Sequence, residues 1–78
     1  MDINKFIEKF SQQFDETDAD VFTPEIVFKE LEEWSSLTAL SVIAMIDDEY
    51  GVMISGKEIE GAEHITDLFE LVVHKKNN

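Results

Sequence analysis

Apolar residues near the start of the chain fall at Ile3, Phe6, Ile7, Phe10 and Phe14, spacings of three and four that put them on one face of a helix. Asn4, Lys5, Glu8, Lys9 and Gln12 cover the opposite face, and Asp2 is placed to cap the first turn. The pattern predicts a first helix over residues 3 to 14, with its phenylalanines turned to a core. Asp15 to Asp20 breaks the periodicity with polar and acidic residues around Ala19, and reads as a linker. Thr23-Pro24-Glu25 is a helix-start signal, because Thr caps and Pro at the first helical position gives up an amide that has no helical partner there. The helix it predicts is short. Val21, Phe22, Ile26, Val27, Phe28 and Leu31 are apolar enough to pin this long connection against the rest of the molecule, with Trp34 packing at its end.

Leu37 to Ile46 is apolar at all but Thr38 and Ser41, and Asp47-Asp48-Glu49-Tyr50-Gly51 follows. The run is longer than an ordinary strand, and Gly51 supplies the stop expected just past a helix C-terminus. Val42, Ile43 and Ile46 are β-branched, yet periods of three and four fit the segment better than two. A helix is therefore predicted over 36 to 50 and, being apolar over most of its circumference, as the most buried one. Asp47, Asp48 and Glu49 lie where the helix dipole favours cations, so they read as solvated surface or as a contact face.

Gly51 to Ile54 is extended or irregular, and Ser55 with Glu58 has capping-box spacing. A short helix over 56 to 61 follows, with Ile59 inward. Ile65, Leu68, Phe69, Val72 and Val73 form the last stripe, on a helix over 65 to 75. His74, Lys75 and Lys76 complement its C-terminal end, and Asn77 and Asn78 are expected to fray. The elements predict an all-α fold in one domain over residues 1 to 78, with three principal helices, one or two short ones and a long loop between helices one and two, which assemble as a small four-helix bundle.

Eighteen acidic residues against six lysines and no arginine give a formal net charge of -12. Such a surface repels nucleic acid and anionic membranes, attracts basic protein faces, and favours a monomer through like-charge repulsion. No membrane-length apolar run and no signal-peptide pattern is present, so no membrane insertion is expected and a cytoplasmic location is the default. The absence of cysteine excludes disulfides, a thiol nucleophile and thiolate metal sites, and fits a reducing compartment.

Catalysis has little to draw on. His64 and His74 are the only histidines and suggest no Ser-His-acid constellation, the carboxylates crowd an open surface, and no phosphate loop or HExxH helix appears. Asp15, Asp18 and Asp20 raise the question of calcium. No register starting at any of them supplies both the loop glycine and the terminal glutamate such a site needs. Trp34-Ser35-Ser36-Leu37 stands out instead, two hydroxyls between an acidic run (Glu30, Glu32, Glu33) and the long apolar helix. Either serine can cap that helix, and two exceed what one cap requires. A phosphate ester here would meet the positive end of the helix.

Phe28-Lys29-Glu30-Leu31 through Ser35-Ser36-Leu37, then Leu40, Ile43, Ile46, Asp47-Asp48-Glu49-Tyr50-Gly51-Val52 and Ile54, resembles the acyl carrier protein family, including its peptidyl and other specialised members. The resemblance covers nearly the whole chain. It implies a 4'-phosphopantetheine arm on Ser36, whose thiol carries acyl or aminoacyl groups as thioesters in fatty-acid or specialised biosynthesis, by a protein that is not itself an enzyme. The implied partners are a phosphopantetheinyl transferase and acyl-loading and condensing enzymes with basic docking faces. By family position, docking falls to Asp47, Asp48 and Glu60, with Leu37, Val42 and Ala44 as an apolar patch between them and Ser35 beside the attachment site. Three departures are specific. Ser35 replaces the aspartate before the modified serine, Thr38 and Ser41 stand where acids are common, and Glu32, Glu33 and Trp34 replace a loop glycine. The second reading that these departures leave open is an unmodified carrier-like module that binds a basic protein partner.

Overall fold

Asp2 opens the first helix by accepting the Asn4 N–H at 2.9 Å, and α1 runs over Ile3–Ser11 in the computed structural model, which describes residues 2–77. The helix ends three residues before the predicted boundary at 14. Ser11 Oγ donates to the Glu8 carbonyl at 2.8 Å, and the Gln13 and Phe14 amides donate to the carbonyls of Phe10 and Ser11, three residues back. These tighter bonds turn the chain out of the helix and still deliver Phe14 to the core.

No α-helix begins at Pro24. The Thr23 carbonyl accepts the Ile26 amide in a turn, and the Pro24 carbonyl accepts both the Thr66 N–H (3.0 Å) and the Thr66 hydroxyl (2.8 Å). The carbonyls that would start a helical ladder are thus engaged elsewhere, and the cap-and-proline signal marks a turn instead. Val27 then forms an isolated antiparallel bridge with His64, and the connection holds only two 3-10 turns, at Ala19–Val21 and Phe28–Glu30.

The second half follows the sequence closely. Helix α2 spans Ser36–Tyr50 and ends on Gly51, whose φ of 66° is the left-handed conformation glycine adopts without a Cβ penalty. Val52 and Ile54 are buried on the irregular stretch that follows, with Met53 between them exposed. Helix α3 spans Gly56–Gly61 behind the expected capping box: Ser55 Oγ accepts the Glu58 N–H at 3.1 Å, and Glu58 accepts the Ser55 N–H at 2.9 Å. Helix α4 spans Ile65–Lys76, with the Asp67 carboxylate accepting the His64 amide at 2.9 Å. That bond, chiefly, lowers the Asp67 pKa. The Asn77 amide donates to the Val73 carbonyl at 3.1 Å, just past the end of α4; Asn78 lies outside the described residues.

Lys75 and Lys76 do more than complement a dipole. Lys75 Nζ reaches Glu58 at 2.7 Å and the Met53 carbonyl at 2.9 Å, while Lys76 Nζ reaches the Tyr50 carbonyl at 2.8 Å. They tie the end of α4 to α3 and to the end of α2. The Lys75 contact is the main cause of the lowered Glu58 pKa.

The result is an all-α bundle of four helices, with no strand and no helix long and apolar enough to cross a membrane among the described residues. Its centre is aromatic. Phe10 is fully buried, and its ring centroid lies 6.5, 5.5, 5.9 and 5.4 Å from those of Phe6, Phe14, Phe22 and Phe28. Helix α2 contacts the other three helices, as expected of a central element, but the expectation that it is the most buried fails. Val42, Met45 and Ile46 face the core while Leu37 is 75% and Leu40 61% exposed, because a bundle this small covers only one side of it.

Truncating Phe10 to Ala removes the ring that joins α1 to the connection. A loss of about 3–5 kcal/mol is expected for a buried Phe-to-Ala change. Denaturant titration should show the midpoint collapsing, and a midpoint at the wild-type value would contradict this account of the core.

Candidate functional site

The start of α2 is built by Ser35, not Ser36. Ser35 has extended backbone, its carbonyl accepts the Ala39 N–H at 2.9 Å, and its Oγ accepts the Thr38 N–H at 3.3 Å, which makes it the N-cap. The Thr38 hydroxyl donates to the Glu33 carbonyl at 2.8 Å and lies 3.3 Å from Ser35 Oγ. Its only proton is thereby committed to Glu33, so Ser35 supplies the proton between the two hydroxyls. The pair does the capping that an aspartate at position 35 would do, without adding charge.

Ser36 is left chemically free. It is the first residue of α2, it is exposed, and its hydroxyl has no hydrogen-bond partner among the described residues. Around it opens a groove of about 540 Å³ between α2 and α3, lined by Trp34, Ala39, Leu40, Ile43 and Ile59, with Ser35, Ser36 and Glu60 supplying polar groups. It is an open surface groove rather than an enclosed chamber in the core. Trp34 belongs to both regions, with its ring 5.0 Å from Phe28 and 6.3 Å from Phe14.

The residues expected to dock a partner divide. Ser35 and Glu60 meet at this groove beside Ser36, whereas Ala44, Asp47 and Asp48 line a second, more polar one between α1 and α2, together with Lys9 and Glu49. Lys9 and Glu49 form an ion pair there at 3.7 Å. Leu37 is exposed beside Ser36. Val42 is a correction: it is fully buried in the core and offers no surface to a partner, because it shares the inward face of α2 with Met45 and Ile46.

Leu40 and Ile43 went unassigned in the sequence reading, as did the contribution of Trp34 to the groove. Their signal was available in the spacing of Ser36, Leu40 and Ile43, which puts them on one stripe of a helix. The partner wall, Ile59 on α3, depends on how two helices meet, and a sequence does not state that. No group of three or more His, Cys, Asp or Glu residues able to hold a metal occurs among the described residues.

The two serines should separate in stability measurements. Ser35→Ala should cost about 1 kcal/mol through the lost cap, while Ser36→Ala should stay within about 0.5 kcal/mol of wild type. Equal effects in chemical denaturation would contradict the assignment of the cap. Comparison of the chain with protein-family models, with curated proteins and with solved structures finds no match.

Proposed function

We propose that the chain is an acyl carrier protein that bears a 4'-phosphopantetheine arm on Ser36 and works in fatty-acid or specialised biosynthesis. The observation that carries this reading is the unpartnered, exposed Ser36 hydroxyl at the first residue of a long helix, opening on an apolar groove. Both halves of the implied group fit that setting. A phosphodiester on Ser36 would lie against the first-turn amides of α2, where the helix dipole favours an anion. The apolar wall of Trp34, Leu40, Ile43 and Ile59 suits an uncharged arm and an acyl group. When bound, the arm supplies the thiol this cysteine-free chain lacks, and its cargo is an acyl or aminoacyl thioester.

In attachment, the Ser36 oxygen forms the new bond to phosphorus, the bridging diphosphate bond of coenzyme A breaks, adenosine bisphosphate leaves, and the serine proton passes to the transferase. The carrier itself catalyses nothing. Its proposed partners are that transferase and the acyl-loading and condensing enzymes, met in the cytoplasm by a monomer. A net charge of -12 gives basic partner faces a long-range attraction that acts mainly on encounter rate. Asp47 and Asp48, both exposed, are the proposed ionic contacts at the end of α2, with Leu37 as the apolar one at its start.

A second reading, an unmodified module that binds a basic partner, is favoured by one observation. Ser35 offers the transferase no carboxylate, having only its hydroxyl, which is engaged with Thr38.

The intact mass after incubation with coenzyme A and a broad-specificity transferase distinguishes the two. A single phosphopantetheine addition, lost in Ser36→Ala, is expected. No addition under conditions that convert an ordinary carrier would favour the unmodified module. Charge reversal at Asp47 and Asp48 should weaken binding to the transferase, and unchanged affinity in a low-salt titration would remove these residues from the docking face.

A further inference from the structure

Ser36 follows a short path of chain, Glu33 to Ser35, that is fastened from two sides. The Glu33 carboxylate accepts three donors from the loop after α1: the Asp15 N–H at 2.7 Å, the Glu16 N–H at 3.0 Å and the Thr17 hydroxyl at 2.6 Å. The backbone carbonyl of the same residue accepts the Thr38 hydroxyl at 2.8 Å, from the first turn of α2. One residue therefore joins a loop distant in sequence to the start of the helix that carries the serine. Trp34 repeats the connection in apolar form, packing on Phe14 just before that loop and on Phe28.

The geometry points to Glu33 as a positioning residue for Ser36, its carboxylate clasping residues 15 to 17 so that the capped start of α2 presents the serine hydroxyl in one arrangement. The consequence for arm attachment rests on the carrier reading above. A carboxylate is the side chain this position calls for, because two oxygens meet three donors and neither oxygen brings a proton. A glutamine would turn its NH₂ toward a donor and lose at least one of the bonds. Glu33 also sits among Asp15, Glu16 and Glu32, where another negative charge gains nothing from its neighbours and is retained through the three donors. Those bonds, that of Thr17 first, hold its pKa below the ordinary carboxylate value. The path needs no flexible glycine, since no non-glycine residue among those described has a positive φ.

The test compares Glu33→Gln, Thr17→Val and the double variant, with two readouts. The first is amide exchange of the unmodified protein, where Glu33→Gln should accelerate the Asp15 and Glu16 amides and also those of Thr38 and Ala39, leaving Phe10 and Ile46 unchanged. The second is the kinetics of phosphopantetheine transfer. If the competent arrangement falls to about one fifth of the population, KM rises about fivefold with kcat unchanged. Thr17→Val cuts the clasp from the loop side and should shift KM in the same direction, and the double variant should fall short of the product of the two single effects. Acceleration confined to residues 15 to 17, or an unchanged KM, would overturn the positioning role and leave a loop staple. A wild-type protein that accepts no arm sinks the carrier reading instead, and the exchange at Thr38 and Ala39 then decides the positioning role by itself. Should Glu33→Gln fail to fold, Thr17→Val carries both readouts.

Discussion

The contact between the aromatic face of α1 and the long connection that follows it governs the rest of this molecule. From Gln12 to Ser35 the chain forms no α-helix, so little of its backbone entropy is repaid by a regular hydrogen-bond ladder. Fixing each residue costs about 1–2 kcal/mol, and a single hydrogen bond returns about 1 kcal/mol net. A buried aromatic ring removes about 150–250 Å² from water, which at about 25 cal/mol per Å² is about 4–6 kcal/mol. Each of Phe14, Phe22 and Phe28 can therefore offset the ordering of several residues, the half-buried Trp34 adds part of that, and each ring lies within contact of another in the same cluster. Polar ties then fix details that packing leaves loose: Thr66 on the Pro24 carbonyl, Lys29 on the Glu60 carbonyl, and Glu33 on residues 15 to 17.

That arrangement determines what the start of α2 can do. Trp34 is the last ring of the cluster and the first wall of the surface groove, so the chain leaves the core and reaches an exposed hydroxyl within two residues. The proposed attachment point calls for this combination, an exposed hydroxyl at a capped helix start with nothing competing for its oxygen. Capping by Ser35 frees Ser36 from that duty. The exposed side of α2 carries Leu37 and Leu40 near the serine and Asp47, Asp48 and Glu49 at the far end, so exposed apolar and acidic groups are separated along one helix.

Much of the fold was legible from residues 36 onward, where local rules and tertiary structure agree. Gly51 stops α2, Ser55 and Glu58 box the start of α3, and Ile65, Leu68 and Val72 turn inward from α4. The first half was harder for a definite reason. Thr23-Pro24 reads locally as a helix start, and what it becomes is decided by Thr66, forty-two positions away. Phe14 keeps the helical spacing of α1 after the helix has ended, because a 3-10 turn can still deliver a ring to the same side. At the site, a serine cap at the start of α2 and an exposed acidic stretch at its end could be read directly. The depth of Val42 could not, since an all-apolar helix does not say which side its neighbours will cover. The three donors gathered by Glu33 were equally hidden, coming from a loop whose position the sequence leaves open.

The most direct measurement for the proposed attachment is fragmentation mass spectrometry of the protein isolated from its own source, with the peptide that contains Trp34 to Leu40 mapped to single-residue resolution. An adduct of phosphopantetheine mass on Ser36, with Ser35 unmodified, is the predicted result. An adduct on Ser35, or a peptide bearing no adduct in protein from actively growing cells, would contradict the division of labour between the two hydroxyls on which the functional account stands.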